Sequence, residues 1–439
     1  MKKRKIRKII LALLLFSNNI IDPAHAQDLE SIAFEYFQGV KLTTELHKDL
    51  WNINLFGPMI LIDPATRKIY ASEQDSLGEL TPSVSVFVGT FPKSLNISGA
   101  WIEWNGKIWA MLPFPFPEGT TTTDAVGYLC HELFHRSQQK LGFVFPNEEL
   151  NNHLDTKEGR LYLRLELEAL NKALNTFHNN EIKRHLKNAI IFRIYRQGLF
   201  PGSKEKENML ELNEGITQYT TVILEGRSND SATAQLIKMS GTFQSLSTYV
   251  RIFAYHTIPV YGYLLRKQNK LWNQEISMKT NLTDFFIKEF DIVVPVNIDE
   301  TVKKILSEYN GEKIMAEEAD REKKHLLEKK QFIKSLIENP HLEIAIKGTK
   351  MSFDPGNVLP LDDWGTVYKG NVRWSDEWGI LEVKSGLMRF ADGFRISVSF
   401  PEKIEHMYAK GNGWELWLNE GYQMLKNDAS GNYTIKKNK

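Results

Sequence analysis

The spacing of apolar and polar residues changes character twice along this chain of 439 residues. From about residue 27 to 118, short apolar runs bounded by turn residues predict strands over 59–63, 83–89, 100–104 and 107–112. The last two form a hairpin, because Asn105-Gly106 stands between them and Asn-Gly is a strong two-residue turn signal. A segment ahead of them, 29–52, reads as one or two helices. Between 119 and 338 apolar residues recur every three or four positions, predicting helices near 125–140, 157–178, 181–197, 204–226, 232–268 and 299–338. The Glu- and Lys-rich stretch 312–334 of the last one reads as a solvated or bridging helix. Past Asn339-Pro340 the period falls to two, with strands over 342–346, 364–368, 379–383, 394–400 and 414–418. The expected architecture is α+β: an N-terminal β-rich lobe (27–118), a mainly α-helical lobe (119–338) and a small C-terminal all-β domain (339–439).

The first residues change the picture of where the chain works. Six basic residues within the first eight, an apolar run over 9–16 and Ala24-His25-Ala26 form a secretory signal peptide, residues 1–26, cleaved before Gln27. Its apolar core falls short of the roughly 20 residues of a membrane-spanning helix, and no later run supplies one. The chain is thus expected to be periplasmic or secreted, with no membrane span. Losing the leader leaves four more acidic than basic side chains, so nucleic acid is not an expected partner. A lone cysteine, Cys130, excludes an intrachain disulfide and leaves stability to core burial. No feature of the chain specifies an oligomeric state.

Candidate chemistry centres on Cys130-His131-Glu132-Leu133-Phe134-His135. In His-Glu-x-x-His on a helix, the two histidines share one face and can aim imidazole nitrogens at one metal ion, about 2.0–2.1 Å away. The glutamate between them can take a proton from a water held by the metal. Thr121 to Asp124 offer N-caps and Gly142 a stop, so the helix is well defined. Cys130 itself reads as a small buried residue.

A catalytic zinc needs a third protein ligand. Gln138 and Leu141 stand where the pattern with a third histidine needs Gly and His, so a later carboxylate is required. Glu214 is the first candidate: Leu212, Ile216, Tyr219 and Ile223 form one apolar face of its helix, and Glu214 lies on the other among short polar residues. Glu166 falls inside the apolar arc of Leu163, Leu167, Leu170, Leu174 and Phe177 and is expected to be buried, as a ligand, as an acceptor for an imidazole N–H, or paired with an arginine such as Arg160. Asp155 has the form of a helix-start cap.

His131-Glu132-x-x-His135 followed by Asn213-Glu214-Gly215 resembles the gluzincin metallopeptidases, the thermolysin and aminopeptidase N-like group. The resemblance covers short motifs between Cys130 and Tyr219. It implies a zincin-like helical lobe, Zn2+, ligation by His131, His135 and Glu214, and Glu132 as general base. It also implies a Tyr or His on a later helix as oxyanion donor, for which Tyr255, His256 and Tyr261 are candidates. Asn419-Glu420-Gly421 has similar letters but reads as a strand end in the β domain. The strand 107–111 offers backbone groups to an extended peptide. The expected function is an exported zinc-dependent peptidase acting on peptide or protein substrates. The alternative is a non-catalytic exported binding protein with a relic or structural metal site.

Overall fold

The computed structural model describes residues 23–145, 150–347 and 351–438. The predicted leader lies outside the described residues up to position 22, and 24–26 fall in the first turn of helix α1 (Pro23–Leu46). Leu29, Ala33, Phe37 and Val40 recur at helical spacing and bury α1 against the body of the protein.

Six strands follow: β1 (Met59–Ile62), β2 (Lys68–Ala71), β3 (Thr81–Pro82), β4 (Phe87–Thr90), β5 (Ala100–Trp104) and β6 (Lys107–Pro113). They form one sheet in the order β3-β4-β2-β1-β6-β5, antiparallel except for the parallel pair β1 and β6. The Asn105-Gly106 turn has positive φ at both residues (46° and 76°), as a tight hairpin requires. Alternation along β6 sends Trp109 and Met111 into a core with Ile60, Ile62 and Ile69, and Ala110 and Leu112 toward the helices. One expectation is corrected here. From Ala110 onward this strand is paired on both sides, with β1 and β5, so those backbone groups are in use, while Lys107 to Trp109 pair with β5 alone. The end strands of the sheet are β3 and β5.

The helical lobe comprises α2 (Thr122–Gln138), α3 (Lys157–Leu174), α4 (Asn179–Leu199), α5 (Ser203–Leu210), α6 (Ile216–Leu224), α7 (Asn229–Phe243), α8 (Ala254–Arg266), α9 (Leu282–Glu289), α10 (Ile298–Ile305) and α11 (Gly311–Ile333). Three predicted helices are broken. A π-helical turn, Glu211–Gly215, separates α5 from α6. The 232–268 run stops after Phe243, where the Thr242 and Ser245 hydroxyls bond nearby backbone carbonyls in competition with the helix. The 299–338 run breaks at Asn310, whose φ is 58°. Phe177, expected in the core face of α3, lies beyond that helix's end and is exposed.

Helix α11 is solvated on one side only. Its Glu318 is fully buried and accepts from Arg160 Nε and Arg164 Nη1 at 2.7 Å each, while Glu317 and Glu322 take the outer nitrogens of the same two arginines. The chain then enters two sheets that share a core of Trp374, Leu381, Leu387, Ile396, Val398 and Leu416. One has seven strands and the other six. Pairing is antiparallel apart from Tyr433–Lys437 beside Leu342–Ala345. Glu420 is exposed in the turn after Trp414–Leu418. Among the described residues no helix is long and apolar enough to cross a membrane.

Removing Glu318 would leave two buried guanidiniums without their shared acceptor. Glu318→Ala is expected to lower stability by about 3–5 kcal/mol, read as a fall in the urea midpoint at unchanged slope.

Candidate metal centre

Helix α2 begins with a capping box, in which the Thr121 side chain accepts from the Asp124 N–H and the Asp124 carboxylate accepts from the Thr121 N–H. The cap fixes the helix phase, and Leu129, Leu133 and Phe134 bury it so firmly that His131 and His135 emerge on one side. Their Nε2 atoms are 3.1 Å apart. Glu214 Oε2 lies 3.1 Å from His135 Nε2 and 3.6 Å from His131 Nε2. Among the described residues this is the one group of three or more His, Cys, Asp or Glu whose ligand atoms converge, all within 4.8 Å of one another.

The outer edges of both rings are tied to the helix that follows Glu214. Gln138 Nε2 donates to Asn213 O at 2.8 Å, which leaves Gln138 Oε1, 2.8 Å from His135 Nδ1, to accept that ring's N–H. The Thr221 hydroxyl donates to Thr217 O at 3.0 Å, leaving its oxygen, 3.3 Å from His131 Nδ1, to accept the other. Each Nε2 then presents a lone pair inward. Two such lone pairs and a carboxylate oxygen facing one another in a buried space call for a positive charge among them, a metal ion or a proton shared with Glu214. For a tetrahedral ion about 2.0–2.1 Å from each ligand atom, those atoms lie about 3.3–3.4 Å apart. The observed 3.1, 3.1 and 3.6 Å bracket that edge, so the donor set suits zinc.

Without an ion among them, protons supply the positive charge that the cluster calls for. Burial alone would lower the His135 imidazole, but the Glu214 carboxylate beside it and the Gln138 contact lift it to about 9. Burial would raise Glu214, yet His135 and His131 hold its carboxyl well below the usual range. Glu132, 8% exposed, is pushed up by burial against the pull of both histidines, and Glu214 raises it further.

Glu214 reaches the histidines because of the π-helical turn. In an α-helix residues three apart share a face, whereas this wider turn, closed by the Ile216 N–H on Glu211 O, lets Glu211 and Glu214 diverge. Glu211 points back into the helices, where Arg193 grips it with Nη1 at 2.9 Å and Nη2 at 2.7 Å. Arg193 Nε and Arg196 Nη1 share the two oxygens of Glu166 at 2.7 Å each, and Arg196 also holds Glu207. Three carboxylates face two guanidiniums, and burial pushes Glu211 up to about 7 despite Arg193. Thr257 of α8 donates to the same Glu211 at 3.0 Å. Gly215 permits that helix to come close, since a Cβ there would stand 2.6 Å from Ile258 Cγ1.

Of the predicted oxyanion donors, the structure brings only Tyr255 to the cluster. Its hydroxyl donates to Glu214 Oε2 at 2.6 Å and its ring stacks on His131, with centroids 5.7 Å apart. Burial and then Glu214 push its phenol well above the ordinary value, so it stays protonated. His256 faces Phe243 instead, where burial lowers it to about 4. Tyr261 donates to Glu166 at 3.0 Å. Glu166 is away from the histidines, its carboxylate taken by Arg193 and Arg196 rather than by Arg160 or a metal. Asp155 pairs with His325 and Lys329. Cys130 is buried, and burial raises its thiol far above the usual range.

Comparison of the chain with family models, with curated proteins and with solved structures finds no match in any of the three. Sequence reasoning did not single out Gln138, Thr221, Arg193 or Glu211 as parts of the site. Gln138 follows His135 by three positions, so helical spacing alone places it beside its partner, whereas Thr221 meets His131 from another helix and only packing brings them together. Gln138→Leu removes the acceptor that orients His135, and zinc affinity is expected to fall about 10–100-fold with the fold intact, measured by competition with a chromophoric chelator.

Proposed function

We propose that this chain is a zinc-dependent peptidase of gluzincin type, exported to the periplasm or the medium. The observation that carries the reading is the convergence of His131, His135 and Glu214 beside a buried Glu132 whose carboxyl burial raises above its ordinary value. Zinc held by those three side chains would bind and acidify a water and polarise the scissile carbonyl.

The chain's own residues account for the remaining steps. Glu132, with its raised affinity for a proton, takes one from the attacking water and returns it to the departing amine. Tyr255 keeps its proton, and its hydroxyl, turned from Glu214 toward the substrate, would donate to the oxyanion that develops as the carbonyl is attacked. The open edge of β5 offers unpaired backbone groups to an extended chain, which favours a peptide or protein over a compact substrate. Gly99, at the start of that edge, lies against Glu132, so a strand laid on β5 would pass the reacting carboxylate. The leader read in residues 1–26 supports export.

Glu132→Gln is expected to lower turnover of casein or a mixed peptide pool about 10²–10⁴-fold while stoichiometric zinc is retained. Protein purified without a divalent metal, or a digest that ignores chelator, would end the proposal. Tyr255→Phe is expected to reduce kcat about 10²–10³-fold with little change in KM, measured on a peptide found in that digest.

A further inference from the structure

The segment that enters β5 is held from two lobes at once. Within its own lobe, Arg67 donates to the carbonyls of Phe91 at 3.2 Å, Leu95 at 2.7 Å and Pro92. From the C-terminal β domain, Arg373 donates to Lys93 O at 2.7 Å, to Leu95 O at 3.4 Å and to the side-chain oxygen of Asn96. Ser375 donates to that same Asn96 oxygen at 3.3 Å, and Ser352 donates to Ile97 O at 3.2 Å. Two residues further on stands Gly99, where a Cβ would lie 3.1 Å from Glu132 Oε1 and 3.3 Å from Leu112. The two arginines meet closely enough that burial, and then Arg373, lower Arg67 to about 10. Like charges converge there because both donate to Leu95 O.

The same part of the β domain also touches the segment that leads into α8. The Phe353 ring lies 5.4 Å from the Arg251 guanidinium, and Ser247 donates to Gly356 O at 2.6 Å. Arg251 precedes Tyr255 by one helical turn. Residues 351–357 and Arg373 therefore reach both the wall that backs Glu132 and the wall that leads to Tyr255.

The geometry points to the C-terminal β domain as a positioning element of the active site: it bridges residues 93–97 and 247–251, and so fixes the backing of Glu132 and the approach of Tyr255. This rests on the peptidase reading for its catalytic consequence. A loop on a protein surface is ordinarily free to shift, and a displacement of about 1 Å in a reacting group can cost about 10²-fold in rate. Tying the loop's carbonyls to a charged side chain from another domain removes that freedom.

The test uses full-length protein with Arg373→Ala, Arg373→Lys or Ser352→Ala. Amide exchange over 93–101 is expected to accelerate at least tenfold in Arg373→Ala, and kcat to fall on the order of 10–100-fold at unchanged zinc content. Arg373→Lys keeps one charged donor and should recover part of both effects, and Ser352→Ala should give a smaller loss of the same kind. If Arg373→Ala also unfolds, the graded response of the two milder variants decides. Exchange over 93–101 that matches the parent protein overturns the inference, as does faster exchange with parental kcat and pH profile. A parent chain that holds zinc and turns over nothing sinks the peptidase reading instead, and the exchange measurement still decides whether the bridge exists.

Discussion

Arg193 holds the back of a turn whose front meets the histidines. Its bidentate contact with Glu211 anchors Glu211–Gly215 in the helical core, and the extra width of that turn sends Glu214 the other way, to His131 and His135. Breaking a buried pair by removing one partner leaves an uncompensated charge and costs about 3–5 kcal/mol. The turn is therefore held by interactions that do not involve the two histidines. Thr257 binds the same carboxylate from α8, so one buried anion sets both Glu214 and the helix that carries Tyr255.

Around the cluster, polarity is arranged in layers with different tasks. Gln138 and Thr221 orient the rings, Tyr255 occupies the carboxylate oxygen that faces them, and Glu132 rests against the start of β5. The two rings and the Glu214 carboxylate each have a partner that fixes their direction, the kind of preorganisation that the proposed function calls for.

The sequence made some of this legible and hid the rest for physical reasons. The pairing of His131 with His135 follows from local helical spacing, and the capped start at Thr121 and Asp124 is equally local. Glu214 was distinguishable because its neighbours on the wheel are short and polar. Glu166 was harder to separate from it, since a helical wheel reports direction but not which helix lies opposite, and Arg193 and Arg196 come from elsewhere in the chain. The same blindness covers Tyr261 and His256, whose surroundings depend on packing. Gly215 is the one breaker in 211–215, and a lone glycine in a helical pattern does not announce a π-helical turn. Strand order is also nonlocal: nothing in the alternation of 107–111 tells that β1 will pair alongside it and leave β5 outside.

Cys130 sits next to His131 and yet is buried, in the core behind α2. Reactivity at sulfur belongs to the thiolate, a form that burial suppresses here. The sequence holds no second cysteine to pair with it, and its own thiol is shielded. Thiol-alkylating reagents should leave the folded protein unlabelled at this position, so labelling of Cys130 would report unfolding.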